Sequence, residues 1–204
     1  MDKKVFAAMV SETLEAGMIC PGRLANLIHY AMQVSTLPGE ITEFGCNVGR
    51  TAAILSHVLS RPVWLYDSFE GLPGRKAQDA GTMPHFDRGA FATSEAEVFA
   101  WFARFSLPEP VVYKAWFSAI PEDKLPKISF AHLDGDMYES IRDSLSLVYP
   151  RLVRGGVIVV DDYGWSGCVG PKVAVDEFMA DKPERVTVPR ILNPEASHAV
   201  IIKI

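Results

Sequence analysis

Cysteine is scarce in this chain, and its three copies, Cys20, Cys46 and Cys168, are odd in number and widely spaced. That argues against a disulfide framework and for free, buried or semi-buried thiols. Runs of basic residues are also missing. Twenty Lys and Arg stand against 25 Asp and Glu, a net charge of −5, so no basic face is in prospect for a phosphate backbone and nucleic acid is not an expected partner. No apolar run approaches the length of a membrane span. Met1-Asp2-Lys3-Lys4 leads into a mixed amphipathic stretch with no signal-peptide core, so the expectation is no membrane and a cytoplasmic location. Internal repeats and low-complexity segments are absent. What remains is 204 residues, 49% hydrophobic and 22% charged, the size and composition of a single globular domain over residues 1–204.

Apolar residues first recur at helical spacing. Val5, Phe6, Met9 and Val10, then Leu24, Leu27, Ile28 and Ala31, predict helices over 3–16 and 22–34, parted by Pro21-Gly22. These two helices make residues 1–39 a helical N-terminal cap. From Glu40 short apolar runs alternate with amphipathic ones. Strands are predicted over 40–45, 62–67, 111–114, 128–134 and 157–161. Helices are predicted over 50–59, 95–105, 140–153 and 168–180, the third opened by Ser140 and Asp143 spaced as a capping box. Residues 185–188 and 199–204 end the chain as strands, which can pair antiparallel because no crossover separates them. Alternating strands and helices imply a doubly wound, mostly parallel sheet.

Residues 68–94 break the rhythm, with no periodicity and several Gly and Pro. They follow the carboxyl end of the second strand, where α/β folds bind ligands, and are read as a lid over the site. A disordered insertion without a role is the competing reading.

The first strand runs into Glu43-Phe44-Gly45-Cys46-Asn47-Val48-Gly49. Gly45 and Gly49 allow a tight turn and close approach to a ligand. The helix N-terminus behind them suits the carboxylate of a bound methionine moiety. Asp67 closes the second strand 24 positions after Glu43, placed for ribose hydroxyls. A dinucleotide fingerprint would need glycine where Asn47 and Arg50 stand, so an NAD oxidoreductase is the poorer fit and S-adenosylmethionine the better one. A purely structural turn, and for Asp67 an exposed strand-end carboxylate, are the bland alternatives. Glu43, Gly45, Asn47, Gly49, Asp67 and the following Ser68 are the cofactor candidates of this region.

Two pairs of carboxylates carry the most information. Asp134 closes the fourth strand in Leu133-Asp134-Gly135-Asp136, and Asp161 and Asp162 close the fifth after Val157-Ile158-Val159-Val160. If those strands are neighbours, both pairs meet at one sheet edge, where like charges persist when a cation compensates or a proton is shared. Hard oxygen ligands suit Mg²⁺. A metal there would lower the pKa of a substrate hydroxyl, and a nearby base would take its proton. Solvated loop carboxylates are the alternative.

Four stretches then resemble the macrocin O-methyltransferases, which methylate sugar hydroxyls in macrolide biosynthesis, and their aminocoumarin-sugar relatives. They are Tyr66-Asp67-Ser68-Phe69-Glu70-Gly71-Leu72-Pro73; Trp116-Phe117 with Ile120-Pro121; Leu133-Asp134-Gly135-Asp136-Met137-Tyr138-Glu139-Ser140; and Gly155-Gly156-Val157-Ile158-Val159-Val160-Asp161-Asp162-Tyr163, continuing into Ala174-Val175-Asp176-Glu177-Phe178. The likeness covers about residues 40–180. It implies a Rossmann-like class I methyltransferase fold of seven strands, one antiparallel, preceded by two short helices. It implies Asp134, Asp161 and Asp162 as Mg²⁺ ligands and Asp136 as general base. It also implies cofactor contacts from Glu43, Gly45, Asp67 and Asp134, with Ser94 and Trp116 near the adenine. The expected activity is S-adenosylmethionine-dependent, metal-assisted methylation of a small-molecule hydroxyl, a sugar of a glycosylated natural product. A catechol-type O-methyltransferase and a non-catalytic cofactor-binding protein are the alternatives. The family carries a longer N-terminal region, and only 39 residues precede the first strand here; the two N-terminal helices form either a homodimer surface or a cap on the sheet. His85 in the lid is a second-base candidate or a loop histidine without a role. Tyr138 and Trp165 either wall the acceptor pocket or pack as ordinary aromatics.

Overall fold

Side-chain alternation decides which layer each strand residue joins. In the computed structural model, which describes residues 3–189 and 197–204, Leu65, Phe130, Val157, Val159 and Val200 enter one hydrophobic cluster. Their neighbours Tyr66, Ala131, Ile158, Val160 and Ile201 enter another. A sheet buried on both faces presents successive residues to opposite layers. The strands are β1 (Glu40–Phe44), β2 (Trp64–Asp67), β3 (Val111–Lys114), β4 (Ile128–Leu133), β5 (Leu152–Val160), β6 (Val186–Thr187) and β7 (Ala199–Ile202). They form one seven-stranded sheet in the order β3-β2-β1-β4-β5-β7-β6. The pairs from β3 through β5 are parallel, and β7 runs antiparallel to both β5 and β6. This is the expected doubly wound α/β sheet with one antiparallel strand.

Helices α1 (Lys3–Glu15), α2 (Pro21–Gln33), α3 (Arg50–Leu59) and α4 (Glu95–Arg104) cover one face. Helices α5 (Tyr138–Val148) and α6 (Gly170–Met179) cover the other. The chain leaves β1 for β2 on one side and returns to β4 on the other, so the carboxyl ends of β1 and β4 frame the topological switch point, where such sheets bind ligands.

Three expectations need correction. Helix α5 starts at Tyr138, not Ser140, and Met137 occupies its N-cap. The Ser140–Asp143 spacing caps nothing because Ser140 already lies inside the helix. The amide of Tyr138 instead donates to Asp79 Oδ1 at 2.8 Å, a carboxylate supplied from 59 residues away. Helix α5 also ends at Val148, and a 3₁₀ turn over Tyr149–Arg151 containing Pro150 delivers the chain into β5 at Leu152. Leu147, Val148, Leu152 and Val153 kept helical spacing, but proline cannot donate to the preceding turn. Strand β5 therefore begins five residues earlier than expected. It absorbs Gly155 at φ +77° with a register irregularity against β4 between Ile128 and Phe130. Last, the expected strand over 199–204 stops at Ile202.

Residues 68–94 hold one 3₁₀ turn, Ala77–Asp79, and a network of their own. Leu72 N and Gly89 N bond across the segment to Ala90 O and Leu72 O, and Met83 N donates to Gly167 O. Leu72 and Phe86 pack with Met137 and Cys168 in a small separate cluster.

Candidate active site

The carboxyl ends of β1, β2, β4 and β5 open into a cavity of about 660 Å³, within the range of small-molecule sites. One side of it is the turn after β1. Gly45 has φ +84°, and a Cβ there would overlap the Asp134 carbonyl; the two strand ends meet this closely only because residue 45 is glycine. Asp67 ties the turn down: its Oδ2 accepts from Cys46 N at 2.8 Å and Asn47 N at 3.2 Å, and its Oδ1 from Phe69 N at 2.8 Å. Asn47 sits at φ +47° and donates through Nδ2 to Phe91 O at 3.2 Å, joining the turn to the 68–94 segment.

The cavity is lined by Gly45, Asn47, Asp67, Ser68, Trp116, Asp134, Asp136, Asp161 and Asp162, all of them candidates from the sequence. Three candidates do not line it. Glu43 is 1% exposed beneath the floor. Its Oε1 accepts from Thr51 Oγ1 and meets His132 Nδ1, both at 2.6 Å, and its buried Oε2 has no hydrogen-bond partner among the described residues. Gly49 is the left-handed N-cap of α3, and a Cβ there would crowd Phe102 and Val98 at 3.2 Å; it sets the packing of α3 on α4. Ser94 caps α4, accepting from Glu97 N at 3.3 Å and donating to Glu97 Oε2 at 2.8 Å.

Beta-4 and β5 are hydrogen-bonded neighbours, so the two acidic pairs converge as their positions at strand ends suggested. Asp161 and Asp162 are buried, Asp134 and Asp136 half-buried. Two ligand-like groupings result, His132–Asp134–Asp161 and Asp136–Asp162–Cys168, the atoms of each lying within 4.8 Å of one another. Burial, then the Asp162 and Glu43 charges, raises Asp134 to about 6 against the opposing pull of His132 and Arg23. Burial, then the charges of Asp134 and Asp162, pushes Asp136 well above the usual carboxylate range. Burial disfavours the His132 cation, yet its hydrogen bond to Glu43 and the Glu43 and Asp134 charges prevail and raise its pKa. Cys168 is held as a thiol by burial and by the carboxylates around it, and donates to Asp136 O at 2.6 Å. All three cysteines are free.

Sequence reasoning missed Arg23. It is 7% exposed, and its Nε donates to Asp161 Oδ1 at 2.7 Å and its Nη2 to Asp162 Oδ1 at 2.9 Å. Nη2 also contacts Asp161 Oδ2. The available signal was its place four residues before Leu27, on the buried stripe of α2. Thr13, Met18, Ile19 and Cys20 line the same cavity, so α1 and the turn into α2 form one of its walls. His85 and Trp165 line it too, each packed against Phe86.

The sequence profile of the macrocin O-methyltransferase family (TylF) matches residues 7–191. The chain belongs to the macrocin O-methyltransferase family. It is 32% identical over 178 residues to demethyldecarbamoylnovobiocin O-methyltransferase of Streptomyces niveus, covering 80% of this chain and 67% of that one. It is 33% identical over 161 residues to 8-demethyl-8-(2,3-dimethoxy-alpha-L-rhamnosyl)-tetracenomycin-C 4'-O-methyltransferase of Streptomyces olivaceus, covering 72% of this chain and 62% of that one. Among solved structures the O-methyltransferase NovP superposes with a TM-score of 0.76 at 27% identity, over 89% of this chain and 79% of that one. Macrocin-family membership makes the protein an S-adenosylmethionine-dependent O-methyltransferase. No helix among the described residues is long and apolar enough to cross a membrane.

Proposed function

We propose that the protein methylates a sugar hydroxyl of a glycosylated natural product with help from a divalent cation, Mg²⁺ by ligand chemistry, and that Asp136 is the general base. The observation that carries this reading is the convergence of Asp134, Asp136, Asp161 and Asp162 on the floor of one cavity that also holds the Gly45 turn. The relatives' names support the acceptor class: one acts at the 4'-oxygen of a rhamnosyl tetracenomycin, another on mycinamicin III.

The residues present fit both groups. The Gly45 turn, which packs directly on the Asp134 backbone because it carries no Cβ, lines the cavity beside Asp67 and Trp116; S-adenosylmethionine there would supply an electrophilic methyl on sulfur. The acidic floor offers hard oxygens, of which Mg²⁺ takes a few while keeping waters. Asp134, Asp161 and Asp162 would hold it, and it would supply Lewis acidity toward a coordinated hydroxyl. The chain's own work is positioning and proton transfer. The turn after β1 and the floor after β4 hold donor and acceptor against each other, since Gly45 and Asp134 touch. Asp136, its basicity raised by burial and its acidic neighbours, takes the hydroxyl proton as the oxygen–methyl bond forms and the methyl–sulfur bond breaks. Residues 68–94 bridge the two halves through Asn47 and Gly167 and act as the lid that excludes water.

The test is methyl transfer from S-adenosylmethionine to a panel of rhamnosyl and noviosyl-type glycosides, in Mg²⁺ and in EDTA. Asp136→Asn is expected to retain cofactor affinity and lose turnover by at least about 10²-fold. EDTA is expected to abolish turnover and Mg²⁺ to restore it. Full activity of Asp136→Asn would remove the base, and rates indifferent to EDTA would remove the metal.

A further inference from the structure

Arg23 is the only buried arginine among the described residues, and it belongs to α2, outside the sheet. It reaches across 138 positions of sequence to the end of β5. Of the four carboxylate oxygens of Asp161 and Asp162, three face its guanidinium. The three side chains are nearly shut off from water, each 8% exposed or less. One guanidinium balances only one of those two charges. A second, stronger cation is therefore favoured there. It cannot simply join the first: a divalent ion bound through the same oxygens would sit against the guanidinium at a separation where like charges in a dry site repel strongly.

We propose that Arg23 is a built-in counter-ion, which holds Asp161 and Asp162 in the metal-free protein and is displaced when a divalent cation loads. The proposal rests on the metal reading above. Displacement has a mechanical consequence, because Arg23 is anchored in the first turn of α2. The residues just before that turn, Gly17 to Cys20, line the acceptor side of the cavity. Ile19 is anchored in the core at 6% exposure, but its neighbours are lightly held: the Cys20 N-cap makes no side-chain cap bond, Met18 is 53% exposed, and a Cβ on Gly17 would meet nothing within 4 Å. Releasing Arg23 frees this wall, so metal loading and acceptor-site shape are coupled through one side chain. Coupling of this kind is reciprocal: what closes the wall on an acceptor changes metal affinity by the same factor.

The test titrates Mg²⁺ alone, by calorimetry, into the full-length wild type, Arg23→Met and Arg23→Lys, and follows wild-type amide exchange over residues 17–24 with and without saturating Mg²⁺. Arg23→Met keeps the length and apolar stem and removes the competing charge; it is expected to bind Mg²⁺ about tenfold more tightly than wild type. Arg23→Lys, with a movable point charge in place of a planar fork, is expected to lie between. Wild-type exchange over 17–24 is expected to quicken on loading, a readout that stands if Arg23→Met does not fold. Equal or weaker Mg²⁺ binding by folded Arg23→Met overturns the counter-ion role and leaves the metal site standing, as does slower or unchanged exchange over 17–24 in Mg²⁺-loaded wild type. No Mg²⁺ binding by any of the three proteins overturns both.

Discussion

His198 is 1% exposed, and its Nε2 has no hydrogen-bond partner among the described residues. Burial, with the neighbouring charges of His132 and Arg23, pushes its pKa down to about 4. The folded-state value thus lies below the ordinary 6.5, so the unfolded chain takes up the proton first as pH falls. Stability from this group is whole above pH 6.5 and is lost as pH drops toward 4, by at most about 3 kcal/mol. His132 behaves oppositely, because Glu43 at 2.6 Å stabilises its cation. Two histidines on either side of β5, one in β4 and one just before β7, therefore have pKa values shifted in opposite directions. Replacing His198 with Leu is expected to flatten the urea-midpoint-against-pH curve between pH 6.5 and 4 relative to wild type. An unchanged slope in the variant would show that other groups set the acid limit. The legible residues were those whose meaning is local. Gly45 at a strand–helix turn and four aspartates at two strand ends read directly from spacing. Arg23 did not, because its value depends on partners 138 and 139 positions away, and Ser94 shows why one hydroxyl is hard to assign from sequence: a helix cap, which it is here, and a ligand contact ask for the same group.

Among the elements, the strands were legible because a sheet covered on both faces demands apolar runs bounded by turns. The limits of α5 were not. Its N-terminus is satisfied by Asp79, which accepts from Lys76 N and Tyr138 N, both at 2.8 Å, while Ser140–Asp143 imitates a cap in the wrong place. Asp79 is fully buried and stands so close to the start of α6 that a Cβ on Gly170 would overlap it. One carboxylate thereby fastens the middle of the 68–94 segment to the helices behind the acidic floor, with the positive end of α5 favouring its charge. Asp79→Ala leaves the buried Tyr138 amide and the part-buried Lys76 amide without acceptors and is expected to cost about 2–3 kcal/mol. It is also expected to raise amide exchange across residues 72–90 before β4 is affected. Exchange rising equally in both would mean that the segment is not held by this residue but unfolds only with the whole sheet.

At the scale of the whole molecule, α1 and α2, which belong to the expected N-terminal cap, pack side chains into the core. Met9 is fully buried in the cluster that also holds Ile54, Leu55, Trp101 and Val159, so α1 shares side-chain packing with α3, α4 and β5. Thr13 is 1% exposed, Arg104 grips Glu12 with two nitrogens at 2.8 and 2.7 Å, and Arg23 ties α2 to β5. A detachable cap would lack such buried contacts, and its loss would leave the Rossmann sheet folded. Here its removal would expose the apolar face of α3 and strip one wall from the cavity. Met9→Ala is expected to destabilise the protein by about 2–5 kcal/mol through lost contacts and the space left behind. It is expected to do so without splitting the transition: unfolding followed by tryptophan fluorescence and by far-ultraviolet circular dichroism should remain coincident in wild type and variant. Two separated transitions, the earlier one shifted by Met9→Ala alone, would instead make the N-terminal helices an independent unit.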